Sequence, residues 1–358
     1  MATRRPAPTA RTTDPNRIVS VEWTPFTLPD IDVRLYRCAY LNADGDHVQP
    51  HGVPKKNPSY FMRPELVREI AWAVWPHDNA KPEAADNWTP CLLTGPRGSG
   101  KTTLIEQIAA HCNVQVFRTN MTVGTTVRHL KGRVGAQEGR TVFVPGIATM
   151  AMEAKAAWLL LDEITGCAPP VALSLFPVLE PDGSVLLEDA QPPRYVRRSP
   201  YFRCFLTDNV LGWRMEDERH DYSGTNSDQN IALLDRIGST IPVGYMTFEQ
   251  EHKVISASVP TIDGMVLSGL IHVANKVRQQ GQIVGGFSTR MLQNWARRCA
   301  AGRMDGTGAV TAWDAGSTDD QWVIDCAKHA FLERMGSKVD ADAITEIIRH
   351  TFGENDDV

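Results

Sequence analysis

Gly95-Pro96-Arg97-Gly98-Ser99-Gly100-Lys101-Thr102-Thr103 decides the fold of this 358-residue chain. It lies between the apolar Cys91-Leu-Leu-Thr94 and a run with Leu104, Ile105, Ile108, Ala109 and Cys112 at helical spacing. The pattern is G-x-x-x-x-G-K-[ST], whose glycines let successive backbone N–H groups turn inward around phosphate oxygens while the lysine reaches the β- and γ-phosphates. Strand, loop and helix in that order are the context such a loop requires. Residues 95–103 are therefore expected to bind ATP.

Leu159-Leu-Leu-Asp162-Glu163 sets two carboxylates at the end of a second apolar strand. Asp162 is suited to hold Mg2+ through water, with the Thr102 hydroxyl on the same ion, and Glu163 to orient and polarise an attacking water. Thr207-Asp208-Asn209 ends a further strand, and the Asn209 amide can hydrogen-bond a phosphate and a water without changing their charge. Arg236, just ahead of the last strand, and Arg290, opening a later helix, can each bring a cation to the γ-phosphate. Spacing alone does not choose between them and ordinary solvated arginines.

Outward from the loop, Val114–Thr119, Ala157–Leu161, Phe202–Thr207 and Thr240–Tyr245 read as strands. With Cys91–Thr94 they make five, separated by helical or irregular stretches, which predicts an α/β fold with a parallel sheet covered on both faces. A helix is expected over Pro64–Val74. Gly132–Gly146 and Val178–Arg194 read as projecting hairpins, the second turning at Pro181-Asp182-Gly183. Residues 1–57 are expected to be a basic, Pro-rich disordered tail and a loop-rich lead-in, the least regular part of the chain. Residues 58–248 then form the nucleotide domain and 249–358 a helical lid, with helices at 249–257, 261–279, 288–301, 319–335 and 340–352.

The chain is 42% hydrophobic with a formal charge of −5, so it can bury a full core and has no bulk attraction to nucleic acid or anionic membrane. Its seven cysteines are scattered through apolar stretches, as suits reduced thiols in a cytoplasmic protein. Arg4-Arg5 has no apolar stretch behind it, and no run reaches the roughly 18 apolar residues of a membrane helix, so neither export nor membrane insertion is expected. Cys38, His47 and His51 fit no four-ligand zinc spacing.

Together these motifs resemble the MoxR-like group of AAA+ ATPases, in particular the branch of the ATPase small subunits of aerobic cobaltochelatase. The resemblance covers about residues 53–353. It rests on Val53-Pro54-x3-Pro58-x-Tyr60, the loop and helix from Gly95 through Glu106-Gln-Ile-Ala-Ala110, and Phe143-Val-Pro-Gly146. Its more specific parts are Tyr222-Ser-Gly224-Thr225, Asp235-Arg236 and Ser288-Thr-Arg290-x4-Trp295-Ala296. The resemblance implies a ring, usually a hexamer, with ATP between neighbours. Asn209 would be the sensor after the fourth core strand, Arg236 the finger reaching the next subunit, and Arg290 the second sensor on the lid. Both hairpins would be insertions facing a pore or client.

The expected activity is thus an ATPase ring motor that remodels a partner protein complex, either a cobalt chelatase or one with a von Willebrand A-type partner. A nucleic-acid motor of the same branch is the rival, carried by Arg133, Arg140, Arg194, Arg197 and Arg198 on the hairpins. A small-molecule kinase is a third reading, against which the Asp235-Arg236 element and the long helical lid speak.

Overall fold

The computed structural model describes residues 16–75, 88–137, 139–180, 182–209, 232–280, 287–301, 303–304, 310–311 and 320–353. The basic tail over 1–15 and the Tyr222–Thr225 element lie outside the described residues. The lead-in is more regular than expected. Ser20–Leu28 (β1) and Ile31–Leu41 (β2) pair antiparallel from Ser20↔Leu41 to Leu28↔Ile31, with Asp30 at φ 62° in the turn. Pro25 and Pro29 suggest loop, but a two-stranded sheet has only edges, where a proline's missing donor is tolerated. Ile31, Val33 and Leu35 alternate with Asp32 and Arg34, and burial of Leu35 and Tyr40 contributes about 2 kcal/mol each. The Tyr40 hydroxyl donates to Ala156 O (2.8 Å) and accepts from Gln115 N (2.9 Å), which ties this hairpin to the main sheet.

Pro64–Val74 (α1) forms where expected and buries Leu66, Val67, Ile70 and Val74. Cys91–Thr94 (β3) leads through the glycine-rich loop into Lys101–Cys112 (α2). Gln115–Asn120 (β4), Ala157–Asp162 (β7), Phe202–Asp208 (β10) and Ser239–Pro242 (β11) complete an all-parallel sheet in the order β11-β3-β10-β7-β4. Because successive side chains alternate across a strand, Leu93, Trp158, Leu160 and Phe205 fill one core. Leu92, Leu159, Leu161, Cys204 and Leu206 fill the other. Near-continuous apolar strands buried on both faces are what a parallel sheet requires.

Between β4 and β7 stand Val127–Lys131 (α3), the hairpin Gly132–Gln137 (β5) with Arg140–Pro145 (β6), and Ile147–Glu153 (α4). After β7 come Pro169–Ser174 (α5), Phe176–Leu179 (α6) and a second hairpin, Ser184–Leu187 (β8) with Arg194–Arg197 (β9). The second hairpin departs from expectation. Gly183 packs against the α6 carbonyls, where a Cβ would stand 1.9 Å from Pro177 O, so Asp182-Gly183 leads into the first arm and residues 188–193 make the turn. The local Pro-Asp-Gly signal marks the exit from a helix, which uses the same residues as a hairpin turn.

Phe248–Ser258 (α7), Gly264–Gln280 (α8), Thr289–Ala300 (α9), Asp320–Ala330 (α10) and Lys338–Phe352 (α11) surround a further core built on Leu270, Ile271, Phe287, Trp295 and Phe331. Thr247, Ser288 and Ser337 cap α7, α9 and α11 through their side-chain oxygens, and Asp263 accepts from the first N–H groups of α8. All seven cysteines are buried free thiols.

Candidate nucleotide site

The site forms at the C-terminal ends of β3, β7 and β10, where open parallel sheets bind ligands. Gly95, Gly98 and Gly100 sit at φ 145°, 72° and 91°, left-handed values that only glycine adopts without strain. At Gly95 a Cβ would stand 2.2 Å from Val243 O, and at Gly98 2.4 Å from the Ser288 Cβ. At Gly100 it would meet nothing within 4 Å, and the buried Ser99 Oγ has no hydrogen-bond partner among the described residues. That cradle, open at Gly100 and lined by an unspent hydroxyl, fits a phosphate. Gly95→Ala is expected to destabilise the protein by about 2–4 kcal/mol in chemical denaturation and to abolish ATP binding, since the opposing carbonyl belongs to backbone and cannot swing away.

Lys101 opens α2, and its ammonium donates to Gly95 O (2.9 Å), Pro96 O (3.0 Å) and Asn209 Oδ1 (2.9 Å). Burial lowers its pKa, against the pull of the Asp208, Asp162 and Glu163 carboxylates. The Asn209 amide nitrogen donates to Glu163 Oε1 at 3.1 Å, so Asn209 bridges the cation of the loop and the Glu163 carboxylate. Glu163 itself is held at φ 57°, an unusual conformation for glutamate, and its N–H donates to Thr207 Oγ1 at 3.2 Å.

Asp162 Oδ1 accepts from Thr102 Oγ1 (2.8 Å) and from Thr207 Oγ1 by a short bond. Its Oδ2 accepts from Arg118 Nη2 at 2.7 Å, and Arg118 Nη1 reaches Glu106 at 3.0 Å. Burial alone would raise the Asp162 carboxyl; the hydrogen bonds from Thr207, Thr102 and Arg118 outweigh it and hold it below the usual carboxylate range. A hydroxyl and an ionised carboxylate side by side are the hard oxygen donors Mg2+ takes.

The two remaining arginines stand apart from this cluster. Arg236 lies over the Phe176 ring (3.7 Å) and bonds Glu180 Oε1 (3.4 Å) and Ala232 O (2.8 Å), away from the phosphate loop. Arg290 is exposed in the first turn of α9, two residues beyond Ser288, which touches Gly98. Arg63 and Arg118 join the site without a motif to announce them, and Thr207, within the Thr207-Asp208-Asn209 strand end, adds a hydroxyl that donates to Asp162. Arg63 is 5% exposed and donates to Ser99 O (3.2 Å) and Gly244 O (2.9 Å), so it braces the loop from the lead-in side. Arg118 is a lone cation after Val116-Phe117 in the sequence, and pairing of β4 with β7 sets it beside the acidic strand end.

The family described as AAA domain (dynein-related subfamily) matches residues 90–221. Aerobic cobaltochelatase subunit CobS from a Sinorhizobium species is 30% identical over 255 residues, 68% of this chain and 72% of that protein. Midasin from Dictyostelium discoideum is 31% identical over 124 residues and midasin from Giardia intestinalis 30% over 125, each 34% of this chain but only 2% of midasin. With a phosphate loop, a strand-end acidic pair and a bridging asparagine assembled on a five-stranded parallel sheet, the chain belongs to the dynein-related, MoxR-like branch of the AAA+ ATPases.

Proposed function

We propose that the chain is a cytoplasmic ring motor, usually of six copies, that hydrolyses ATP to remodel a partner protein complex. The observation that carries this reading is the position of Arg236. One chain gathers Lys101, Thr102, Asp162, Glu163 and Asn209, while Arg236 faces Phe176 and Glu180, so the transition-state cation is supplied by a neighbour.

In this reading residues 95–103 wrap the phosphates, and Lys101 exchanges its loop carbonyls for β- and γ-phosphate oxygens. Thr102 and Asp162 hold Mg2+, which when bound neutralises charge developing on the phosphates. Glu163 accepts a proton from the attacking water, with its orientation set by Asn209 and by the Thr207 bond to its N–H. Arg290 approaches the γ-phosphate from α9. Among the described residues no helix is long and apolar enough to cross a membrane.

The client is a protein complex, either a chelatase or a partner of von Willebrand A type. Two of the five hairpin arginines that favour nucleic acid are engaged within the chain: Arg194 pairs with Glu153 (2.5 Å) and Arg198 lies over Trp88 (4.6 Å). The exposed Val134, Val144 and Tyr195 on the same hairpins suit an apolar protein surface better. Mass photometry of the Glu163→Gln protein with ATP is expected to give a sixfold particle; monomers at every ATP concentration would overturn the ring. Turnover is expected to rise on addition of a cognate von Willebrand A-type protein. Stimulation by DNA instead, falling steeply with salt, would replace the client with nucleic acid.

A further inference from the structure

The lid holds a buried ion pair that the phosphate chemistry does not use. Glu251, in α7, is fully buried, and Arg278, in α8, grips both its oxygens: Nη1 to Oε2 and Nη2 to Oε1, each 2.8 Å. Removing two opposite charges from water costs more than packing an apolar pair of the same volume, so stability alone does not account for their presence.

What the pair touches next does. Arg278 Nε donates to Phe287 O at 2.8 Å, and Glu251 Oε1 accepts from Thr289 Oγ1 at 2.7 Å. The two charges therefore hold the residues on either side of Ser288. Ser288 caps α9 through Met291 N and lies against the phosphate loop, where any Cβ at Gly98 would strike it. On its other side the Arg278 guanidinium stacks 4.1 Å above the Tyr245 ring, whose hydroxyl reaches Arg97 O at 3.4 Å. The phosphate loop is thus met at two adjacent residues, Arg97 and Gly98, by groups that one ion pair positions. A bidentate guanidinium with a third N–H on a backbone carbonyl has a single geometry, unlike an apolar contact, which slides.

We propose that Glu251 and Arg278 are positioning residues for ATP binding: they fix Ser288 and the start of α9 on the phosphate loop, so a buried carboxylate away from the phosphates sets nucleotide affinity. This rests on ATP being held at residues 95–103. The test measures Kd for a fluorescent ADP analogue, KM and kcat for ATP, and Tm, on full-length wild type, Thr289→Val, Glu251→Gln and Arg278→Lys. Thr289→Val keeps the side-chain volume and cuts only the link to α9. It is expected to raise Kd and KM about tenfold, the loss of one charge-assisted hydrogen bond, with kcat within about threefold of wild type. Arg278→Lys should weaken affinity as well, although it keeps the charge, because one ammonium cannot span two carboxylate oxygens and Phe287 O. Should Glu251→Gln fail to fold, Thr289→Val still decides. Wild-type Kd and KM in that variant, with or without a lower Tm, would make the pair merely structural and overturn the proposal. Wild-type protein that binds no nucleotide would instead sink the ATP reading beneath it.

Discussion

Glu163→Gln is expected to bind ATP as tightly as wild type and to hydrolyse it at least about a hundredfold more slowly, the usual contribution of a positioned general base. The substitution keeps the shape of the side chain and its ability to accept from Asn209 Nδ2, now at 3.1 Å from Glu163 Oε1. It removes the charge that polarises water. The backbone held at φ 57° and the 3.2 Å bond from Glu163 N to Thr207 Oγ1 are untouched, so the site stays assembled. Lys101→Ala is the contrasting case: it deletes the charged link between Gly95, Pro96 and Asn209, and binding itself should go. Equilibrium binding of a fluorescent ATP analogue and single-turnover phosphate release separate the two. A Glu163→Gln enzyme that still turns over within tenfold of wild type would assign the base elsewhere.

Why this site could be read from the chain, and much of its support could not, follows from how each residue is specified. Gly95 to Thr103, on one strand-loop-helix unit, and Asp162-Glu163, at the end of a second strand, are each short-range patterns whose residue types phosphate and metal chemistry dictate. The central strands were legible for a similar reason, since a strand buried on both faces must be apolar along its body, as Cys91–Leu93 and Ala157–Leu161 are. Arg118 and Arg63 were not legible, because their partners Asp162 and Ser99 lie 44 and 36 residues away and nothing local requires a cation there. The Glu251–Arg278 pair is hidden in the same way, one charge on each of two helices that otherwise read as amphipathic. In the lead-in two signals conflicted: prolines and aspartates argued loop, the alternation of Ile31, Val33 and Leu35 argued strand, and burial against α1 and α2 decided for the strand. At Asp182-Gly183 the residues of a turn were read correctly as a turn, but of the wrong kind.

Arg236→Ala is expected to cut hydrolysis by about a thousandfold, the lower range for a finger arginine, while leaving ATP binding in place. In the single chain its guanidinium is braced by the Phe176 face at 3.7 Å, Glu180 at 3.4 Å and Ala232 O at 2.8 Å, and its side chain is 29% exposed. A side chain so braced is oriented rather than buried, as a group offered to a neighbour must be. The decisive measurement mixes two inactive proteins, Arg236→Ala and Glu163→Gln. A trans-acting arginine makes a working site wherever an Arg236→Ala copy, with its intact Glu163, meets a Glu163→Gln copy that lends Arg236. Random assembly at equal amounts then restores about a quarter of the sites. An arginine acting within its own chain cannot be complemented, because no copy in the mixture carries both residues. Activity of the mixture no higher than that of either variant alone would therefore return Arg236 to its own subunit and remove the argument that each site is shared between two chains.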